Sequence, residues 1–594
     1  PNMPAMAQPL RRSLPTLSRS AQELSTHTHQ VFNQSPPLVG GYNLYASDRG
    51  LMDAIERYGG DWHKDGLLKH GELMGSESTM RLGEIANKFN PTLRTHDANG
   101  RRLDLAEYHP YYHDLMNMAV SSQVTSLAWN QSHGTSGAHV ARAGLAYMQN
   151  QADAGHCCPI TMTYAAVPAL RAHQNESPHL IKWVEKLTSK TYDTQDLPIS
   201  EKKGALLGMS MTEKQGGSDV QTNTTIAVEQ ADGMYSLTGH KWFTSAPNCD
   251  GFLTLARIGE NKVSCFLIPR RLPNGARNEG LQFQKLKDKL GDRSNASSEV
   301  EYRGAMGWLV GERGQGVKAI LNMVHHTRLD CCLGSSGGMR RALAVAMNHV
   351  EGRSAFGATL VKQPLMMNVL TDIGIEVEAS TALTMRVAAS FDVASGASPI
   401  GCAEVDDPVG FSRLITAVSK YYVCKQYPAV AYECMETLGG NGFVEDFPLA
   451  RIYRQAPLNA IWEGSGNVVA LDVLRTLGRV PSAAHSLHQE LSASSGGDKR
   501  YDQYCYDLFK KFDTLKHATD YEKQVCARSL VEDMARALQA SCLLTGKNTE
   551  MADLFCETRL NSSSNQRSYF GALPTNIATQ KNCEHVMERF VSKS

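Results

Sequence analysis

The sequence contains no run of about 18 apolar residues, so it offers no helix that could cross a membrane. It also has no excess of either charge: across 594 residues, 60 Lys and Arg balance 60 Asp and Glu. That balance argues against a whole-chain affinity for nucleic acid or anionic membrane. Its fourteen cysteines include the adjacent pairs Cys157-Cys158 and Cys331-Cys332 but no C-x-x-C. Such spacing suits neither a zinc site nor a small disulfide framework, so buried thiols in a reducing compartment are expected. A Walker loop is missing, as is a strand-first G-x-G-x-x-G, which leaves P-loop and Rossmann chemistry without support. What the chain does have is bulk. With 42% apolar residues it can bury several large cores.

Residues 1–43 read as an arm closed by Pro36-Pro37, with Arg11, Arg12 and Arg19 and no acid before Glu23. The arm is weakly similar to a mitochondrial transit segment, and a surface arm is the alternative. From 44 to 203 the pattern is mostly helical, with a strong turn at Asp97-Ala98-Asn99-Gly100 and one long amphipathic stretch from Tyr111 to Gln149. Cys158-Pro159 is expected to open the following helix. Between 204 and 305 the period changes to short, alternating, β-branched or aromatic runs separated by turn signals, which predicts an all-β domain. The helical period returns over 306–482 in segments long enough for an antiparallel bundle, with a loop over Ser395 to Asp407. A Ser/Gly-rich linker, Ser492 to Gly497, leads on to a helical extension over 483–594. The fold class is therefore α+β, in the order α, β, α, then more α.

Several segments could carry chemistry. Glu463 lies in Ile461-Trp462-Glu463-Gly464-Ser465-Gly466-Asn467, between an apolar approach and a turn that Ser465 or Asn467 could cap. Burial there would raise its pKa towards the range of a base. The alternative is a carboxylate that merely sits near a helix N-terminus. Met211-Thr212-Glu213-Lys214-Gln215-Gly216-Gly217-Ser218-Asp219 offers hydroxyls and backbone N–H groups in a tight turn. Lys241-Trp242-Phe243-Thr244-Ser245 sets an aromatic plane beside a hydroxyl at a strand end, although Trp242 could equally be core. Gly439-Gly440 is either bare backbone for a diphosphate or a helix stop. Arg353 and Phe356, with Gln363 beyond them, suit diphosphate and adenine recognition; a surface arginine is the plain alternative.

In their order these segments resemble the acyl-CoA dehydrogenase family, in its AidB-like branch, from about Leu44 to Leu477. The resemblance rests on 211–219, on Gly239-His240-Lys241-Trp242-Phe243, on Lys285 to Gly291 with Arg293 to Ala296, and on 461–467. It implies a helical domain, a β-barrel-like domain and a four-helix bundle that bind FAD. By matching position, Met211, Thr212, Gly217, Ser218, Trp242 and Thr244 would hold the flavin end. Arg353, Phe356, Gln363, Gly439 and Gly440 would meet the other half of an FAD shared with a neighbouring subunit, and Asn467 would lie beside the cofactor. Glu463 would be the catalytic base, and Arg328, Ser218 and Gly464 would contact substrate.

The implied reaction is α,β-dehydrogenation of a medium- or long-chain acyl-CoA, as in fatty acid β-oxidation. The implied partners are an electron-transferring flavoprotein as acceptor and further copies of the chain, as a dimer of dimers. The chain departs from the wider family at Lys214-Gln215, where Pro is common, and at Glu436, where Gln is common. Two other roles follow from the same branch: an acyl-CoA-sequestering flavoprotein, and a DNA-protective one. From Pro481 to Ser594 there are fourteen basic and fourteen acidic residues, and this neutrality weighs against the DNA role. An intracellular location is expected, with mitochondrial, cytoplasmic and peroxisomal sites all open. The final Ser592-Lys593-Ser594 lacks the Leu of a peroxisomal signal.

Overall fold

The computed structural model describes residues 28–175, 177–260, 262–561 and 570–590. The arginines Arg11, Arg12 and Arg19 and the C-terminal Ser592-Lys593-Ser594 lie outside the described residues. The end of the arm is not free. Arg341 donates to the carbonyls of Leu38 and Val39, both at 2.7 Å, and Asn348 donates to Pro36 O.

The first domain packs helices α1 (Arg49–Arg57), α2 (Lys64–Gly75), α3 (Glu77–Lys88), α4 (Pro110–Ser121), α5 (Ala138–Ala152), α6 (Ala154–Arg171) and α7 (His179–Leu187). Two expectations are corrected here, the helical pattern of this domain and the start of α6. A hairpin, β1 (Thr92–His96) and β2 (Arg102–Glu107), interrupts the helices. Its turn is made by Asp97, whose carboxylate accepts from the N–H groups of Asn99 and Arg101. The stretch 111–149 is two helices, because Gln123, Gly134 and Gly137 take left-handed backbone between them. Cys158-Pro159 does not open α6. Asp153 does, accepting from Gly155 N and His156 N, so Pro159 falls inside the helix.

The β domain comprises β3 (Leu207–Ser210), β4 (Ile226–Glu229), β5 (Tyr235–Ser245), β6 (Gly251–Arg257), β7 (Val263–Pro269), β8 (Leu281–Leu286) and β9 (Ser297–Val310). Strands β6, β4, β5, β9 and β7 are neighbours in that order and β7 pairs again with β6, closing a barrel; β3 adds to β6 and β8 to β9. Closure leaves few exposed strand edges.

The bundle is built on α8 (Gly316–Gly352), α9 (Pro364–Ala394), α10 (Pro408–Thr437), α11 (Pro448–Gln455) and α12 (Gly466–Arg479). A small hairpin, β10 (Ser354–Ala355) and β11 (Ala358–Thr359), joins α8 to α9. The run Gly334-Ser335-Ser336-Gly337-Gly338 spells G-x-S-x-G, yet it lies in the middle of α8. It is therefore not a nucleophile elbow, which needs a strand-to-helix turn. Its small residues admit neighbours: a Cβ on Gly337 would stand 2.5 Å from Tyr147 O, and one on Gly338 would stand 2.2 Å from the Tyr427 ring.

The extension carries α13 (Pro481–Ser492), α14 (Lys499–Lys516), α15 (Asp520–Leu544), α16 (Thr549–Phe555) and α17 (Gln580–Glu588). Buried ion pairs tie the parts together. Arg142 on α5 grips Asp330 on α8, Arg386 on α9 binds Glu490 on α13 at 2.6 and 2.7 Å, and Arg559 reaches Asp372 on α9 at 2.7 Å. Among the described residues no helix is long and apolar enough to cross a membrane.

Candidate active site

Glu463 takes left-handed backbone, φ +56°, which is strained for a residue with a Cβ; Gly464 follows at φ +100°. Three consecutive carbonyls of this loop are held by cations from two bundle helices. Lys420 on α10 donates to Trp462 O at 2.8 Å and also to Gly464 O, while Arg328 on α8 donates through Nε to Glu463 O at 3.0 Å. The Glu463 carboxylate accepts from the Thr327 hydroxyl at 2.7 Å. Desolvation pushes its pKa up, opposed in part by the Thr327 hydrogen bond and by the charges of Lys420 and Arg328. Arg328 does not pair with that carboxylate. Its Nη1 donates to Asp472 on α12 at 2.6 Å, so it holds the base through the main chain. Ser465 occupies the position before α12, but its side chain makes no capping bond, and Asn467 is exposed within the first turn.

A Cβ on Gly464 would stand 3.0 Å from Val469 and 3.4 Å from Arg328 Nη2. Gly464→Ala is therefore expected to destabilise the chain by about 1–3 kcal/mol, read as a lower urea midpoint. An unchanged midpoint would mean that the loop is not held in this conformation.

On the barrel, the loop after β3 is fastened to β5 by Trp242 N donating to Thr212 O at 2.7 Å. Glu213 beneath it is fully buried. It accepts from Thr224 and Thr225, through N–H and hydroxyl groups of both, and from Lys241 Nζ at 2.9 Å. Those donors hold its carboxyl well below the usual range despite burial, and burial lowers the Lys241 ammonium to about 8. Thr212 and Trp242 thus stand on a fixed base. Trp242 is half-buried with the Lys287 ammonium 3.1 Å from its ring centroid, and buried Thr244 is bonded to Ser210. Met211 is half-buried, its carbonyl accepting from Asn223. Gly217 and Ser218 lie exposed at the loop tip, and a Cβ on Gly217 would meet Thr212 Oγ1 at 2.4 Å.

Cys158 on α6 stands between the two groups: it hydrogen-bonds Ser245, next to Thr244, and lies within electrostatic reach of Glu463. The remaining candidates are elsewhere. Arg353, Phe356 and Gln363 cluster at the far end of α8, with Gln363 donating to Ala355 O, Arg353 donating to Asn33 O, and Phe356 fully exposed at φ +50°. Arg353 lies 25 residues beyond Arg328, about 37 Å along the helix axis, so one small molecule could not touch both within one chain. Gly439 and Gly440 begin a 3₁₀ turn after α10, and a Cβ on either would meet nothing within 4 Å. Among the described residues no group of His, Cys, Asp and Glu could hold a metal.

Three contributors were not anticipated from sequence: Thr327, Asp472 and Lys420. Only Lys420 left a signal, as a lone lysine in the apolar run Ala417-Val418-Ser419-Lys420-Tyr421-Tyr422-Val423.

Three family models match parts of the chain. The model of the adaptive response protein AidB N-terminal domain matches residues 33–194, that of the acyl-CoA dehydrogenase middle domain 208–305, and that of the acyl-CoA dehydrogenase C-terminal domain 314–478. AidB of Escherichia coli (strain K12) is 44% identical over 476 residues, 80% of this chain and 85% of that protein. Acyl-CoA dehydrogenase family member 11 of Caenorhabditis elegans is 32% identical, over 69% of this chain and 66% of its own length. The crystal structure of Caenorhabditis elegans ACDH-11 in complex with C11-CoA superposes with a TM-score of 0.80 at 27% identity, covering 97% of this chain and 95% of that one.

Proposed function

Because the chain belongs to the acyl-CoA dehydrogenase family, in its AidB-like branch, we propose that it is a flavin-dependent oxidoreductase that desaturates a medium- or long-chain acyl-CoA between its α and β carbons. The observation that carries this reading is Glu463: a carboxylate with a raised pKa, locked in strained backbone, with Cys158 of α6 within reach of both it and Ser245 at the end of the Trp242 strand.

The residues suit FAD. Trp242 offers an aromatic face, Thr212 offers a hydroxyl, Thr244 lies buried behind them, and the loop tip is bare at Gly217, where a side chain would strike Thr212. When bound, FAD supplies the acceptor for the hydride that leaves the β carbon. The rest falls to the protein. An α C–H beside a thioester is a weak acid, so the base must be ionised yet poorly solvated. Desolvation raises the Glu463 pKa while Thr327 and the nearby cations keep its anion accessible. Held by its own carbonyl and those of its neighbours, Glu463 can take the α-proton without first reorganising.

Chain length follows the C11-CoA complex of the nematode relative. The separation of Arg353, Phe356 and Gln363 from Trp242 and Glu463 supports a homo-oligomer, in a dimer-of-dimers arrangement, in which one copy completes the cofactor site of another. An electron-transferring flavoprotein is the expected acceptor, and the expected setting is intracellular fatty acid oxidation.

Anaerobic addition of octanoyl-, decanoyl-, lauroyl- or palmitoyl-CoA to the oxidised holoprotein is expected to bleach the flavin band with at least one of them. Tight binding of all four without bleaching would replace turnover with sequestration.

A further inference from the structure

Lys420 is 1% exposed in the middle of α10. Its ammonium donates to the carbonyls of Trp462 and Gly464, on either side of Glu463. Among the described residues it forms no ion pair, so it is a buried positive charge whose hydrogen bonds go to main-chain oxygens. An ammonium in that position needs an anion nearby to offset its lost hydration. Arg328 is differently placed: it is bonded at 2.6 Å to its own carboxylate, Asp472, which Arg475 also approaches at 3.3 Å and Arg413 at 3.7 Å.

The other groups around Glu463 are a hydroxyl, three thiols and a carboxylate that lies beyond Arg328. Thr327 on α8 donates a hydrogen bond. Burial pushes the Cys158 thiol on α6 up to about 12 and the Cys331 thiol on α8 well above its ordinary value. The Cys424 thiol, one turn along α10 from Lys420, donates to Cys331 O; burial raises its pKa, but a hydrogen bond with Cys332 and the charge of Lys420 outweigh burial and lower it. Asp472 on α12 acts on Glu463 only through Arg328.

We propose that Lys420 is the positioning residue that keeps Glu463 ionised, and that it shares with Arg328 the hold on its left-handed conformation. One ammonium performs the two tasks at once. It fixes the carbonyls on either side of the strained residue, and it brings to the carboxylate a positive charge that forms no ion pair among the described residues. That Glu463 is a base rests on the reading above; the effect of Lys420 on its carboxyl group does not.

The test uses the full-length holoprotein. Infrared difference spectra across a pH series follow the protonated carboxyl band that Glu463→Gln removes. Removing a neighbouring cation disfavours the carboxylate, so Lys420→Met and Lys420→Gln are expected to raise the midpoint by about one pH unit or more, a tenfold change in the ionised fraction. Lys420→Arg is expected to restore it, and Arg328→Met to shift it less. Flavin bleaching at neutral pH should fall about tenfold in Lys420→Gln with acyl-CoA affinity retained, and recover as pH rises. If Lys420→Met does not fold, the contrast between Gln and Arg decides. Coincident midpoints in folded wild type and Lys420→Gln would overturn the proposal, as would a larger shift from Arg328→Met. A raised midpoint in a protein whose wild type never bleaches would refute the dehydrogenase reading and leave Lys420 standing.

Discussion

Glu463→Gln is expected to slow flavin reduction by acyl-CoA by about 10²–10⁴-fold, the range over which a positioned base acts. The amide keeps the shape of the side chain and can still accept from Thr327, but it cannot hold the α-proton. The clamp on the loop depends on the carbonyls of residues 462, 463 and 464, which the substitution leaves in place. FAD content and acyl-CoA affinity should therefore match wild type, and stopped-flow bleaching measures the difference. A variant that reduces its flavin at the wild-type rate would remove Glu463 from the chemistry. One that loses its flavin would make it structural instead.

The second large effect is expected at Lys241. With Glu213 it forms an ion pair that is out of contact with water, between the Thr212 loop and strand β5. Lys241→Met would leave Glu213 as a buried carboxylate without its cation, at a cost of about 3–5 kcal/mol. The damage should reach the flavin end as well, since Thr212 and Trp242 stand on either side of the pair. Urea unfolding and FAD retention on gel filtration read the two consequences. Glu213→Gln combined with Lys241→Met should recover part of the stability, because no unpaired charge remains. Equal stability of Lys241→Met and wild type would show that the pair contributes nothing net.

The domain order could be read directly because period is a local property. Alternation over β5 and β8, the short apolar run of β7 and the 3.6-residue stripes of α8, α9 and α10 are visible in any window of the chain. The hairpin at 92–107 was hidden because its strands are short and largely polar, and only the turn between them stood out. The position of the break within 111–149 was hidden because Gln123 gives no hint that it will adopt left-handed backbone. At the site, Glu463, Trp242 and Thr212 could be picked by matching known motifs. The pairing of Arg328 with Asp472, 144 residues away, could not, nor could the fastening of Trp462 and Gly464 by Lys420. Such contacts depend on which helix faces come together, which no local pattern encodes.

The extension beyond Arg479 has a consequence for how this chain can change. Glu490 is the counter-charge of Arg386, and Arg559 that of Asp372, with Glu376 receiving Gln539. These partners sit in the core of α9, a helix of the bundle itself. Glu378 on the same helix is likewise paired with Arg589 at 2.5 Å. The extension is thus not a module that could be gained or shed in one step. Its removal would strand four charges inside the bundle, so loss of the extension has to be preceded by apolar replacements at Arg386, Asp372, Glu376 and Glu378. A chain that keeps those four charged residues is committed to keeping the extension.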